Sequence, residues 1–209
     1  CIIKMKVDIC FSPALYPYYS SDSNDKIVVV VDIFRATTTM CAALNNGASS
    51  IIPVAGIEEA QEYKAKGYLV GAERNVKRCD FADFGNSPFD YTKDKVGGKD
   101  VVFTTTNGTQ AIEMANDANI LSIGAFSNID AVTDFCINKQ KDIIVLCAGW
   151  NNRFNIEDSL FGGALARKLI DRGYSSASDA TQVALSMWDE AEPDIRKYIN
   201  QSEHIKRLE

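Results

Sequence analysis

Along the chain, short runs of β-branched and other apolar residues alternate with stretches in which apolar residues recur at three- and four-residue spacing. The runs predict strands at residues 6–11, 26–34, 50–54, 68–71, 100–104, 120–123 and 142–147. Between them the spacing predicts helices over 37–45, 57–66, 108–115, 128–138 and 156–172, with Gly47, Gly67 and Gly173 as left-handed stops. Strand and helix in turn is the pattern of βαβ units. The expected fold class is therefore α/β, a layered α/β/α arrangement around a largely parallel or mixed central sheet, in one domain over residues 1–209. After Gly173 the pattern changes. Residues 178–191 and 193–208 read as two helices with no strand between them, expected to pack on the sheet or on the rim of an active site. An irregular link begins at Asp83-Phe84-Gly85-Asn86-Ser87-Pro88 and runs to Lys99, and links of that length in compact domains often carry function.

Several predicted strands end in polar residues. The run IVVVVDIF is apolar enough to lie buried on both faces, yet it closes on Asp32 and is followed by Arg35, Thr37 and Thr38. Open α/β sheets place ligands at the carboxyl ends of their strands, and the helix that starts there offers free N–H groups to a phosphate. The competing reading is an Asp32–Arg35 ion pair with Thr37 as a helix cap, although a buried strand end is a costly place for idle charge. Thr104-Thr105-Thr106-Asn107-Gly108-Thr109 repeats the arrangement after DVVF, where consecutive N–H groups can form an anion nest. Turn and capping chemistry alone also accounts for Thr-Asn-Gly. A third strand end carries Glu73 and Arg74. The fourth, Cys147-Ala148-Gly149-Trp150-Asn151-Asn152-Arg153, leads to Glu157 and Asp158 at a helix start, where carboxylates also serve as ordinary caps. Asp32, Glu73, Glu157 and Asp158 are hard oxygen ligands of the kind Mg²⁺ accepts, and four such strand ends together predict a phosphoryl-transfer site.

Composition narrows the alternatives. A net charge of −6 argues against a nucleic-acid partner, and no apolar run approaches the length of a membrane span. Six cysteines are scattered without the spacing of a disulfide framework or zinc ribbon, which predicts a reducing cytoplasm. Cys147 and Arg153 have the C-x5-R spacing of cysteine-dependent phosphatases, but Trp150 is bulky for that loop and Phe154 stands where a hydroxyl normally assists. The aspartyl-phosphate class ends its nucleophilic strand in D-x-D, and Phe34 occupies the second position here. The one histidine, His204, excludes histidine-nucleophile chemistry of the RHG-motif kind and any metal site that needs several imidazoles, and is expected to be a solvated helical residue.

Taken in order, VDIFRATTT, GAERN, DFGNSP, TTTNGT and CAGW followed by ED resemble the successive motifs of the 2-phosphosulfolactate phosphatase family, from Val7 to about His204. The resemblance implies an α/β/α fold and a Mg²⁺-dependent phosphatase of coenzyme M biosynthesis that hydrolyses the phosphate ester of sulfolactate or a similar small 2-hydroxy acid. It implies site residues Asp32, Arg35, Thr37 and Thr38, then Glu73 and Arg74, then Asn86 and Ser87. Thr105, Thr106, Asn107 and Gly108 follow, and last Gly149, Glu157 and Asp158. In the expected mechanism Asp32 binds Mg²⁺ with Glu73 or Asp158, Arg35, Arg74 and the threonine loops hold phosphate oxygens, and Glu157 protonates the leaving alkoxide. Arg153 and the Asn86-Ser87 loop are candidates for the acid group of the substrate. Family members commonly extend past the position of Glu209, so a further terminal segment that helps close the site is expected. The expected partners are a small phosphorylated organic acid and at most a second copy of the chain, with no nucleic acid and no membrane. The competing functions are a cysteine-dependent phosphatase through Cys147 and Arg153, and a non-catalytic phospho-ligand module.

Overall fold

The computed structural model describes residues 4–19, 25–176 and 178–208. In chain order the strands are β1 (Lys6–Cys10), β2 (Ile27–Val31), β3 (Ser50–Pro53), β4 (Leu69–Arg74), β5 (Lys77–Arg78), β6 (Asp100–Thr104), β7 (Ile120–Gly124), β8 (Ile143–Cys147) and β9 (Ser175–Ser176). The helices are α1 (Ala36–Asn45), α2 (Ile57–Ala65), α3 (Lys93–Val96), α4 (Gly108–Met114), α5 (Ile129–Lys139), α6 (Ile156–Asp171), α7 (Asp179–Ala191), α8 (Ile195–Ile199) and α9 (Ile205–Leu208).

The α/β alternation is as the sequence predicts, but the strands divide between two sheets. One has the order β7-β2-β8-β1-β9 and is parallel throughout. The other has the order β3-β6-β4-β5, parallel except for β5. The division follows from pairing. β2 takes β7 and β8 as its neighbours, so residues 50–104 must satisfy their ladder groups among themselves. β2 and β8 are buried at every position, as their unbroken apolar runs require. Each such side chain contributes about 1.5–3 kcal/mol of burial free energy.

Helices cover both faces of the five-stranded sheet. Val132 of α5, Phe161, Leu165 and Leu169 of α6 and Leu185 of α7 pack with Val7, Ile9, Val29 and Val145 on one face. Ala111 of α4 and Tyr16 pack with Val28, Val30, Ile144 and Leu146 on the other. Around the four-stranded sheet, α1 contributes Ala36, Met40 and Ala43 against Val101 and Phe103, while Ala60 of α2 meets Val70 and Val102. The irregular link after Asp83 closes over this second sheet, placing Phe84 and Tyr91 in the same cluster as α1. The helix predicted over 193–208 is broken: α8 and α9 flank a turn at residues 200–204. Among the described residues no helix is long and apolar enough to cross a membrane.

Candidate active site

The carboxyl ends of β2, β4, β6 and β8 carry the segments that surround one pocket, lined by Asp32, Phe34, Arg35, Glu73, Asn75, Val76, Asn86, Thr106, Asn107, Trp150 and His204. Asp32 follows β2 directly and is only 5% exposed. The turn into α1 is closed by Thr37, whose hydroxyl accepts from the Asp32 N–H (3.0 Å) and donates to the Gly124 carbonyl (2.7 Å). Burial pushes the Asp32 carboxyl up to about 6; the Ala36 N–H and His204 pull against this, and the Glu73 and Glu157 carboxylates add to it. Gly108 begins α4 so close to this residue that a Cβ there would stand 2.4 Å from the Ala36 Cβ and 2.7 Å from Asp32 Oδ2. The glycine is what allows the β2 and β6 loops to share one pocket.

The four-stranded sheet contributes Glu73, 7% exposed, at the start of a two-residue hairpin turn. Asn75 and Val76 both have positive φ, 52° and 71°, a conformation that a β-branched residue rarely adopts. The turn is held from inside: Glu73 Oε1 accepts from the Val76 N–H and from Thr106 Oγ1 (3.1 Å), and the Asn75 N–H reaches Thr106 Oγ1 (3.0 Å). Asn86, from the irregular link, is buried, and its Oδ1 has no hydrogen-bond partner among the described residues.

The residue that sequence reasoning missed is His204. It is 7% exposed and stands in the turn at 200–204 rather than on a solvated helix, which corrects the expectation. Its Nδ1 lies 3.1 Å from Glu157 Oε1, Ser202 Oγ donates to Glu157 Oε2 (2.7 Å), and the His204 N–H returns to Ser202 Oγ (3.1 Å). Phe34 meets the imidazole edge to face at 6.4 Å.

A model of the family described as 2-phosphosulpholactate phosphatase matches residues 10–209. The protein named "Probable 2-phosphosulfolactate phosphatase" of Thermotoga maritima is 39% identical over 202 residues, covering 97% of this chain and 84% of its own length. Proteins of the same name from Caldanaerobacter subterraneus (34% identical, 93% and 84% covered) and Clostridium novyi (35% identical, 98% and 87% covered) agree. The chain belongs to the 2-phosphosulfolactate phosphatase family. Membership makes it a phosphoric monoester hydrolase.

Of the residues that resemblance to the 2-phosphosulfolactate phosphatases singles out, Asp32, Arg35, Glu73, Asn86, Thr106 and Asn107 line the pocket. Others lie behind it, holding backbone. Thr38 donates to the Ile33 carbonyl (2.9 Å), and Thr105 and Thr109 bond each other's N–H groups at the start of α4. Arg74 spends its guanidinium on the carbonyls of Glu73 (2.7 Å) and Ala55 (3.1 Å) and on Thr104 Oγ1 (2.8 Å). Ser87 precedes a short 3-10 turn, and its carbonyl accepts from the Asp90 N–H. Asp158, wholly buried, accepts from the Ile33 N–H (2.8 Å), the Gly149 N–H (3.0 Å) and Asn155 Nδ2 (2.9 Å). Glu157 is equally buried and reaches the pocket only through His204.

The surroundings of Cys147 do not suit a cysteine nucleophile. Cys147 is wholly buried as the last residue of β8, and burial followed by the Asp158 carboxylate pushes its thiol far above the ordinary range. Burial of this kind disfavours the thiolate that the chemistry needs. The segment after it is a tight hairpin, with Trp150 and Arg153 exchanging backbone hydrogen bonds at 3.0 Å and Gly149 at a φ of 61°, instead of a phosphate cradle. Arg153 is exposed and lines a second cleft with Phe154, Gln201, Ser202 and Glu203, next to the pocket and sharing Trp150 and His204 with it.

Proposed function

We propose that the chain is a Mg²⁺-dependent phosphatase of the cytoplasm that hydrolyses the phosphate monoester of a small 2-hydroxy acid, with 2-phosphosulfolactate as the model substrate. The observation that carries the metal reading is Asn86 Oδ1, buried without a donor among the described residues in the same pocket as two buried carboxylates. Leaving such an atom unpaired costs about 1–3 kcal/mol, which a hard cation would relieve. Among the described residues no group of three or more His, Cys, Asp or Glu side chains is arranged to hold a metal alone. That fits Mg²⁺, which is commonly held by one or two carboxylates together with substrate oxygens. Asp32, Glu73 and the Asn86 amide oxygen are the residues that would hold it. Bound there, Mg²⁺ would offset the charge on the phosphoryl oxygens. Asp158 already has both oxygens engaged by N–H donors, which leaves it the task of fixing the loops around the ligands.

The chain's own groups supply the rest. Arg35 lines the pocket and has no ion-pair partner among the described residues, so its guanidinium is available to phosphate oxygens. Thr106 and Asn107 fix the register, since Thr106 braces Glu73 and Asn107 Oδ1 accepts from the Asn151 N–H (3.0 Å). The adjoining cleft with Arg153 suits the acid group of the organic moiety. Cys10, Cys41, Cys79, Cys136 and Cys147 are all unbridged, which supports a reducing compartment.

The test is phosphate release from 2-phosphosulfolactate and phospholactate, with Mg²⁺ and with excess EDTA. Turnover with Mg²⁺ is expected, falling at least about 100-fold in EDTA and returning when Mg²⁺ is restored. Turnover that persists in EDTA would sink the metal reading, and failure to release phosphate from either ester would sink the substrate class.

A further inference from the structure

His204 is a buried imidazole set between two cavities. The smaller one holds the carboxylates and Arg35; the larger one holds Arg153, Phe154 and Gln201. A phosphate ester that places its phosphoryl group in the first and its organic part in the second puts the bridging oxygen at their junction. His204 and Trp150 are the residues that line both. The imidazole is also the better oriented of the two for chemistry. Nδ1 is committed to Glu157 Oε1 at 3.1 Å, Glu157 is itself held by Ser202 at 2.7 Å, and Phe34 packs against the ring. A carboxylate only accepts, so Nδ1 carries a proton, and the acid role requires the imidazolium, in which Nε2 carries a second proton towards the pocket while the Glu157 carboxylate faces the ring's charge.

Building on the phosphatase reading above, we propose that His204 is a catalytic residue of this site, its Nε2 handing a proton to the leaving alkoxide, and that Glu157 is the residue that positions it. As the oxygen of water bonds to phosphorus and the bond from phosphorus to the alcohol oxygen breaks, that oxygen takes the Nε2 proton and departs as the alcohol. The imidazole recovers a proton from the attacking water, and the products are the free hydroxy acid and inorganic phosphate. The role expected of Glu157 thus passes to its partner, because Glu157 is wholly buried and both its oxygens are occupied.

A proton donor to the leaving group matters for an alkyl ester and hardly at all for an ester whose alcohol leaves as a stable anion. The experiment compares kcat for 2-phosphosulfolactate and 4-nitrophenyl phosphate, both at saturating Mg²⁺, in wild type, His204→Gln and Glu157→Gln. His204→Gln is expected to lose about 100-fold or more on the alkyl ester and less than about tenfold on the aryl ester. Glu157→Gln is expected to show the same selectivity at about a tenfold loss, since the amide oxygen can still accept from Nδ1 without the charge. Equal losses on the two esters in His204→Gln would overturn the proposal and leave the residue a structural part. The solvent deuterium isotope effect on kcat in wild type, which depends on no variant folding, is expected to be larger for the alkyl ester; equal effects overturn the proposal as well. Wild type that hydrolyses neither ester overturns both this proposal and the reading it rests on.

Discussion

The two sheets bring polar strand ends to the same pocket but secure them differently. At the ends of β2 and β8 the brace is Asp158, which gathers N–H groups from Ile33 and Gly149 and the Asn155 amide, all of it buried. At the end of β4 the brace is a two-residue hairpin turn whose Asn75 and following Lys77 and Arg78 are exposed. Within the five-stranded half, Asp32 and Asp158 are both buried carboxylates, yet one has its oxygens paired to the frame and the other faces the pocket. Burial pushes the Asp158 carboxyl well above its ordinary value too, with the Asp32 and Glu157 carboxylates adding to it and the Ile33 N–H and Asn155 pulling against it, so the contrast lies in what the oxygens bond. Asp158 satisfies donors that would otherwise be orphaned, whereas Asp32 keeps its carboxyl turned to the pocket for the sake of what binds there.

Replacing each in turn tests that contrast. Asp32→Asn is expected to lower kcat by about 100- to 1000-fold, the range seen when one charged or hydrogen-bonding group is removed from a reacting site. The same change is expected to stabilise the metal-free protein. Asp32 is pushed up to about 6 from an ordinary 3.8, so between those values the folded chain binds more protons than the unfolded chain. Its contribution to stability therefore falls as pH rises from about 4 to about 6 and stays lost above that. At pH 7 in EDTA the variant should be about 1–3 kcal/mol more stable than wild type, with the gap closing towards pH 4. A thermal melt series across that range checks both the sign and the window. Asp158→Ala is expected to do the reverse, losing about 3 kcal/mol by leaving buried N–H donors without an acceptor. If Asp158→Ala melts like wild type while losing Mg²⁺ affinity, Asp158 belongs with the ligands and the contrast collapses.

Gly108→Ala probes the seam between the halves. The added methyl would collide with Ala36 and with Asp32 Oδ2, so the β6 loop must withdraw from the β2 loop. Displacement of about 1 Å at a reacting site can cost up to about 100-fold in rate, and overpacking of this kind costs about 1–3 kcal/mol. The measurement is kcat at saturating Mg²⁺ together with a melting curve; an unchanged kcat would show that the two loops need not meet.

Much of this was legible in the sequence. The unbroken apolar runs of β2 and β8 and the glycine stops at Gly47, Gly67 and Gly173, which do adopt positive φ (89°, 89° and 103°), mark element type locally. The partition into two sheets was not, because period-two and helical patterns say nothing about which strand pairs with which. Thr37, Thr38 and Thr105 show why site residues are harder still. A hydroxyl at a helix start has the same sequence signature whether it meets a ligand or, as with Thr37 on the Gly124 carbonyl, the backbone. His204 gave the weakest signal. Its burial depends on a turn that folds back onto Glu157, forty-seven residues earlier.

Cys147→Ser carries the smallest expected effect and tests the contrast from the side of the frame. Cys147 sits on β8 within the same buried shell as Asp158, with its thiol close to Ser159, and has no part in the pocket. Exchanging sulfur for a hydroxyl in that shell is expected to cost about 1–2 kcal/mol of stability, moderated by a hydrogen bond to Ser159. Turnover at saturating Mg²⁺ should stay within about threefold of wild type, and its sensitivity to EDTA should be unchanged. A collapse of kcat with an unaltered melting curve would place the thiol in the chemistry after all. The buried ends of β2 and β8 would then have to open during turnover to expose it, and the division between a fixed frame and a reactive pocket would not hold.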